Sequence, residues 1–188
     1  MCIRDRAYSR PRVNGINAIT IKENDRLLDV KLTNGDNHII IAKRSGKAIN
    51  FHENNVRPMG RTAAGVRGIK LESDDDRVIG MICVSREESD LLVVSKNGYG
   101  KRSSINDYRI TKRGGKGVMT LKITEKTGNL VAIKEVKTND ELMIINKSGI
   151  TIRTSITDEN IRVMGRATQG VKLLSLIHIS EPTRRYAI

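Results

Sequence analysis

Three basic, glycine-rich loops contain the residues of this sequence whose chemistry best suits a phosphate group. They read RPMGRTAAG at 57–65, TKRGGKG at 111–117 and RVMGRATQG at 162–170. Glycine lacks the Cβ that would hold backbone N–H groups away from an anion, and arginine and lysine add charge and directed donors. The candidate ligands in or just after these loops are Arg57, Arg61, Arg67, Lys112, Arg113, Gly114, Gly115, Lys116, Gly117, Arg162 and Arg166.

A second group of cations stands in the strand-like segments ahead of the loops. These candidates are Arg44, Lys47, Lys101, Arg102 and Arg153. The acidic run at 74–76 follows a different segment, so we expect it to face away from them. Separation of charge favours a binding edge over a generally solvated surface. One such loop alone is more often a plain turn, whereas three at the same position of a repeat favour phosphate contact.

The loops recur because the sequence repeats. The landmark glycines, separated by 50, 52 and 53 residues, are Gly15, Gly65, Gly117 and Gly170. A second set, separated by 52 and 51 residues, comprises Gly46, Gly98 and Gly149. Two sets of glycines that recur with nearly the same spacing indicate an array of structural units, as in a solenoid or a propeller.

The segments within one period are short and typical of β-strands. The middle repeat predicts strands at 66–71, 77–84, 90–95 and 99–104, and Asn97-Gly98 predicts a tight hairpin turn between the last two. Four strands per repeat is the blade of a propeller. We therefore predict an all-β fold: a partial, propeller-like array of four-stranded blades, with about three blade repeats in an open arc.

Composition narrows the class of protein. The sequence has no Trp and one Phe, Phe51, so the core must be aliphatic. Its 34 Lys and Arg against 21 Asp and Glu give a net charge of +13, which suggests a nucleic acid first and an anionic membrane surface second. The two cysteines fit neither a metal site nor a disulfide framework, and no apolar run approaches the roughly 18 residues of a membrane span. We expect a soluble, cytoplasmic protein that needs no cofactor.

The two ends of the sequence are expected to be non-native. Residues 1–6 and 174–188 can be encoded by one DNA sequence read on opposite strands, and that sequence resembles an adapter used for sequencing libraries. They contain four basic and two acidic residues, so a net charge of +11 remains without them. We therefore assign residues 7–173 to one partial array and expect it to be a piece of a longer protein.

The repeats resemble a known domain family. The stretches GINAI at 15–19, MGRTAAGV at 59–66 and NGYGKR at 97–102 are similar to blades of the β-pinwheel at the C-terminus of DNA gyrase A. The resemblance covers about residues 8–173. It implies a domain that bends duplex DNA around its rim, without reading its sequence, and so supports ATP-dependent negative supercoiling. A related domain occurs in topoisomerase IV.

The resemblance also implies partners and a location. The partners would be double-stranded DNA, the remainder of gyrase A and gyrase B in an A2B2 complex, in the bacterial cytoplasm near the nucleoid and away from membranes. The parent would be an ATP-hydrolysing type IIA topoisomerase. The catalytic tyrosine of that class follows an arginine, and none of Tyr8, Tyr99 and Tyr108 does. We therefore expect no catalytic site within 7–173.

One loop resembles the hallmark of the gyrase family. The hallmark reads Gln-Arg-Arg-Gly-Gly-Lys-Gly, and Thr111–Gly117 matches five of its seven positions, with Thr111 for Gln and Lys112 for the first Arg. In the family it lies on the first blade, whereas two repeat equivalents precede it here. Either the hallmark stands on a later blade in this protein, or 111–117 is an ordinary blade loop. Gyrase is favoured over topoisomerase IV on this ground.

Other functions lack support in the sequence. His38 and His52 show no metal-ligand spacing, and the paired carboxylates at 87–88 are expected to be solvated. A propeller that serves as a platform for other proteins remains an alternative, but such blades usually carry aromatic signatures, and aromatic residues make up 3% of this chain. An enzyme propeller with a site in its central channel is a more distant alternative, because no polar residues converge.

Overall fold

The computed structural model describes residues 10, 12–84, 89–145, 149 and 151–173. Residues 1–6 and 174–188, expected to be non-native, lie outside this part of the chain. Two short 3-10 helices, Glu53–Asn55 and Ile105–Asp107, follow the first two hairpins. The strands are β1 His38–Lys43, β2 Lys47–His52, β3 Val78–Val84, β4 Asp90–Ser95, β5 Tyr99–Ser104, β6 Val118–Met119, β7 Leu130–Val136, β8 Glu141–Ile145, β9 Thr151–Ser155 and β10 Val171–Lys172.

The strands form two four-stranded sheets and one further hairpin. The first blade has the strand order β3-β1-β2-β6, and the second has the order β10-β5-β4-β7. Every pairing between named strands is antiparallel. The hairpin of β8 and β9 repeats the β4–β5 hairpin one period later. The prediction of an all-β array of four-stranded blades is confirmed.

The blades exchange strands. After β5 of the second blade the chain returns to the first blade as β6, which pairs with β2, and then comes back as β7 to pair with β4. β10 completes the second blade in the same way, against β5. The sequence-based grouping of 66–71, 77–84, 90–95 and 99–104 into one blade is therefore wrong, because β3 pairs with β1.

The predicted strand at 66–71 is also absent from the structure. β6 begins 71 residues after β2, and β10 begins 72 residues after β5. Within the described residues, no strand is paired with the segment 66–71 in this way. A strand that lacks its ladder partner leaves its N–H and C=O groups to water. The segment therefore stays irregular in this chain.

The predicted hairpin turn is confirmed. Gly98 has a φ of 78°, and its N–H donates to the carbonyl of Ser95 at 3.0 Å. Gly46 forms the same turn in the first blade, with a φ of 81° and a bond of 3.0 Å to Lys43. Positive φ is open to glycine at little cost, so the second set of landmarks marks hairpin turns.

The main core joins the two blades. Ile40 and Ala42 of β1 and Leu91 and Val93 of β4 are fully buried in one cluster, and β3 lies beside β7 where the blades meet. Phe51 is buried in a second cluster on the other face of the first blade. The aliphatic core expected from the composition is confirmed, and each fully buried Ile, Leu or Val side chain contributes about 1.5–3 kcal/mol.

Candidate nucleic-acid interface

The loops at 111–117 and 162–170 run along the same edge of consecutive blades, opposite to β3 and β7. We call this side the rim and the three glycine-rich loops the rim loops. The N–H of Thr111 donates to the carbonyl of Asn50 in β2 at 2.8 Å, and the N–H of Met164 donates to that of Arg102 in β5 at 2.7 Å. Asn50 and Arg102 stand at equivalent positions, four residues after Gly46 and Gly98. The two loops are therefore held in the same way.

Six of the predicted cations are exposed on or beside the rim loops. In the described part of the chain their side chains form no hydrogen bond or ion pair, so their charged groups are exposed to solvent and not neutralised by these residues. They are Arg57, Arg61, Arg67, Lys112, Lys116 and Arg162.

The glycines of the 111–117 loop are used within the fold. The N–H of Gly114 donates to the carbonyl of Gly68 at 2.5 Å, and the carbonyl of Gly115 accepts from the N–H of Lys70 at 2.8 Å. Gly117 has a φ of 77°, and a Cβ placed on it would lie 2.7 Å from the carbonyl oxygen of Ala48. The structure therefore gives Gly114, Gly115 and Gly117 a role in seating the loop, and a role in phosphate contact stays a prediction.

Two predicted cations, Lys101 and Arg102 of β5, are buried. The Nζ of Lys101 donates to the carbonyl of Gly165 at 2.6 Å and lies 3.2 Å from Thr168 Oγ1. Arg102 is ion-paired with Asp90 at 3.4 Å and with Asp158. Their side chains therefore support the fold beneath the rim. The pairing of Val93 with Lys101 and of Leu92 with Arg102 explains the burial, since both partners belong to the core strand β4.

Three further predicted cations contact a carboxylate or a backbone carbonyl of the fold; they are Lys47, Arg153 and Arg44. Lys47 pairs with Glu72 at 2.7 Å, and this contact holds the pKa of Glu72 below its usual value. Arg153 pairs with Glu141 across the third hairpin. Exposed pairs of this kind add little to stability, because solvent screens their charges. Half-buried Arg44 donates to the carbonyl of Asp75 at 3.4 Å.

The expectation that the acidic run faces away from the cations is wrong for Asp76. Its carboxylate is buried against the first hairpin, 3.2 Å from the Nζ of Lys43, and accepts from the N–H of Ser45 at 3.0 Å. Burial raises the pKa of Asp76, but the bonds from Ser45 and Lys43 outweigh it and leave that pKa below the usual value. Asp76 therefore fixes the hairpin, which sequence spacing could not reveal.

Lys101 gives the fold a measurable dependence on pH. Burial lowers the pKa of Lys101 from 10.5 to about 8; Asp107 raises it and Arg166 lowers it further. Between these values the unfolded chain holds a proton that the folded chain has released, so the free energy of unfolding rises from about pH 8 to 10.5. Relative to Lys101→Met, the parent should gain at most about 3 kcal/mol over this range in urea titrations. Exposed Lys134 is the control, since Lys134→Met should show the same rise in the free energy of unfolding as the parent. If Lys101→Met also showed that rise, the assignment to Lys101 would be wrong.

Within the described ranges, neither a metal-binding cluster nor a membrane-spanning helix is found. No three His, Cys, Asp or Glu side chains are grouped there to hold a metal ion. No helix in that part of the chain is long and apolar enough to cross a membrane.

Comparison with known proteins settles the family. The sequence matches the family described as DNA gyrase C-terminal domain, beta-propeller, at residues 12–34, 38–85, 89–137 and 140–176. The chain belongs to this family. Each complete matched segment of the gyrase C-terminal family supplies three strands to its own blade, as 38–85 supplies β1, β2 and β3. The next segment supplies the fourth, which is the exchange described above.

The relatives and solved structures agree with this assignment. The chain is 52% identical over 165 residues to the DNA gyrase A protein of Ureaplasma parvum and 45% identical over 170 residues to that of Staphylococcus epidermidis. It spans 19% of the length of these relatives, which cover 88% and 90% of it. A DNA gyrase A C-terminal domain superposes with a TM-score of 0.75 at 28% identity, covering 85% of this chain and 53% of its own. The C-terminal domain of DNA topoisomerase IV superposes with a TM-score of 0.82 at 21% identity, covering 90% and 52%, which shows the shared fold.

Proposed function

We propose that this chain is a DNA-wrapping segment of a bacterial gyrase A protein. It would bind duplex DNA along the rim through the phosphate backbone, without reading base sequence. The observation that carries the proposal is the set of exposed, unpaired cations on the rim loops, two of which dock in the same way on consecutive blades. Phosphate contacts of this kind position a duplex and carry no sequence information.

The proposal extends to the parent enzyme. Both named relatives are gyrase A proteins, which favours gyrase over topoisomerase IV. The wrapped DNA would serve ATP-dependent negative supercoiling in the bacterial cytoplasm, on the nucleoid, together with the rest of gyrase A and with gyrase B in an A2B2 complex. Strand cleavage would be carried out by another part of the parent, and this segment would need no cofactor.

Salt dependence tests the phosphate contacts directly. Each neutralised phosphate contact changes the slope of log K against log salt by about 0.9. Lys112→Gln with Lys116→Gln should therefore reduce the slope for a labelled linear duplex by about 1.8, as measured by titration across a series of KCl concentrations. The reduction should be the same for duplexes of unrelated sequence.

Lys134 provides the matched control for this experiment. It is an exposed lysine of β7, at the opposite edge of the second blade from β10. Lys134→Gln removes one charge of the same kind but should leave the slope unchanged. Equal effects of Lys134→Gln and Lys116→Gln would refute rim binding. Capture of an acidic protein without affinity for DNA at low salt would favour the protein-platform alternative.

A further inference from the structure

Each of the three rim loops accepts one recurring backbone hydrogen bond from the segment that follows the preceding landmark glycine. Its donor lies five residues after one landmark glycine, and its acceptor lies two residues before the next. The three bonds are Thr20 N–H to Ala63 O at 3.3 Å, Lys70 N–H to Gly115 O at 2.8 Å and Lys122 N–H to Thr168 O at 3.1 Å. The segment after one loop is thus attached to the loop that follows it.

An arginine adds a second link at two of these junctions. Arg113, four residues before Gly117, donates from Nη1 to the carbonyl of Arg67 at 3.1 Å and from Nε to that of Asn55 at 2.9 Å. Arg166, four residues before Gly170, donates from Nη1 to the carbonyl of Met119 at 3.1 Å. Arg67 and Met119 each lie two residues after a landmark glycine, so the same contact occurs twice.

We propose that Arg113 and Arg166 are positioning residues that fix each rim loop relative to the preceding one, so that DNA wrapping is coupled from blade to blade. A guanidinium presents several donors in a fixed plane and can bridge two carbonyls, which an ammonium on a flexible stem cannot do in the same way. With those donors used inside the fold, contact with phosphate is left to the exposed cations on or beside the rim loops, which are Arg57, Arg61, Arg67, Lys112, Lys116 and Arg162. This role in wrapping rests on the function proposed above, whereas the links themselves are independent of DNA.

Arg61 offers a matched control from the same chain. It lies four residues before Gly65, at the position of Arg113 and Arg166, but it is exposed and its side chain forms no hydrogen bond within the described residues. Replacement by lysine keeps the charge at all three positions and changes only the donor geometry. Any difference among the three variants therefore reports the link rather than the charge.

Amide hydrogen exchange of the whole chain, measured without DNA, tests the links. Arg113→Lys should speed exchange at the Lys70 amide, and Arg166→Lys should speed exchange at the Lys122 amide, each about tenfold, because loss of the side-chain bond lets the neighbouring loop open locally. Arg61→Lys should leave the Thr20 amide unchanged. Exchange in Arg113→Lys that matches the parent, with DNA binding intact, would overturn the positioning role alone.

The end-to-end distance of a doubly labelled duplex at saturating protein then tests the coupling. Arg113→Lys and Arg166→Lys should lengthen this distance, since loops that move independently hold a curved duplex less tightly. The salt slope should stay as in the parent, and so should the distance in the off-rim control Lys134→Arg. If both variants wrapped the duplex as the parent does, the coupling would be refuted. If the parent chain failed to bind duplex DNA at low salt, both the proposed function and the coupling would be refuted. The hydrogen-exchange result would still show whether the arginine links exist.

Discussion

Alanine at Gly170 is expected to cost about 2–5 kcal/mol of stability, one of the two largest losses that the fold predicts for a single residue. Gly170 has a φ of 78°, which costs a residue with a Cβ about 1–2 kcal/mol. A Cβ there would also lie 2.5 Å from the carbonyl oxygen of Gly100, where β10 joins the second blade. Backbone cannot rotate away as a side chain can, so a further 1–3 kcal/mol of overpacking is expected. Urea unfolding followed by circular dichroism measures the loss.

Gly65 separates the two causes of this loss. It is the same landmark one repeat earlier than Gly117 and has a φ of 87°, but a Cβ on it would meet nothing within 4 Å. Gly65→Ala should therefore cost only the conformational part, about 1–2 kcal/mol. Gly117→Ala should behave like Gly170→Ala, because its Cβ would lie 2.7 Å from the carbonyl oxygen of Ala48. Equal losses at Gly65 and Gly170 would show that close approach of the strands plays no part.

The landmark glycines show which features of the fold a local sequence pattern can predict and which it cannot. The repeat, the hairpin turn at Asn97-Gly98 and three of the four strands predicted in the middle repeat follow from local spacing, because each feature needs only neighbouring residues to form. The interpretation of Gly117 as a phosphate contact misses its other use: it lets the chain cross closely over β2 before pairing as β6. That requirement comes from a strand about 70 residues earlier in the sequence, and no local pattern contains it.

The exchange of strands could not be predicted for a related reason. In a periodic chain any four consecutive strands have the composition of a blade, so the position at which one blade ends is not encoded by periodicity. The hydrogen bonds decide it: β3 pairs with β1, and β6 pairs with β2. Partners separated by many residues also explain why the burial of Lys101 was missed, since its acceptor on Gly165 lies 64 residues away.

Arg102 is the second position at which a large loss is expected. Its side chain is 1% exposed, forms ion pairs with Asp90 and Asp158 and donates a hydrogen bond to Thr138 Oγ1. These contacts tie β5 to β4 and to the chain that follows β7. Arg102→Met should cost about 3–5 kcal/mol, because it leaves Asp90 partly buried without its counter-charge. Burial already raises the pKa of Asp90, against the opposing effect of Arg102.

The loss at Arg102 should also depend on pH. Without the guanidinium, the folded-state pKa of Asp90 rises further above its unfolded value, so the folded variant binds a proton that the unfolded chain releases. Stability of Arg102→Met should therefore fall as pH rises through that window, and the deficit relative to the parent should be smaller near pH 4 than at pH 7. Urea titrations of both proteins at the two pH values measure this difference.

Arg153 supplies the control, since it occupies the position of Arg102 one repeat later, four residues after Gly149. Its side chain is 67% exposed and pairs with Glu141, which is also exposed. Arg153→Met should therefore cost no more than about 1 kcal/mol and show no comparable pH dependence. Arg102 and Arg153 thus share their residue type and their position in the repeat, and they differ only in burial and in their partners. Similar losses at Arg102 and Arg153 would mean that the buried ion pairs of the second blade do not hold its strands together.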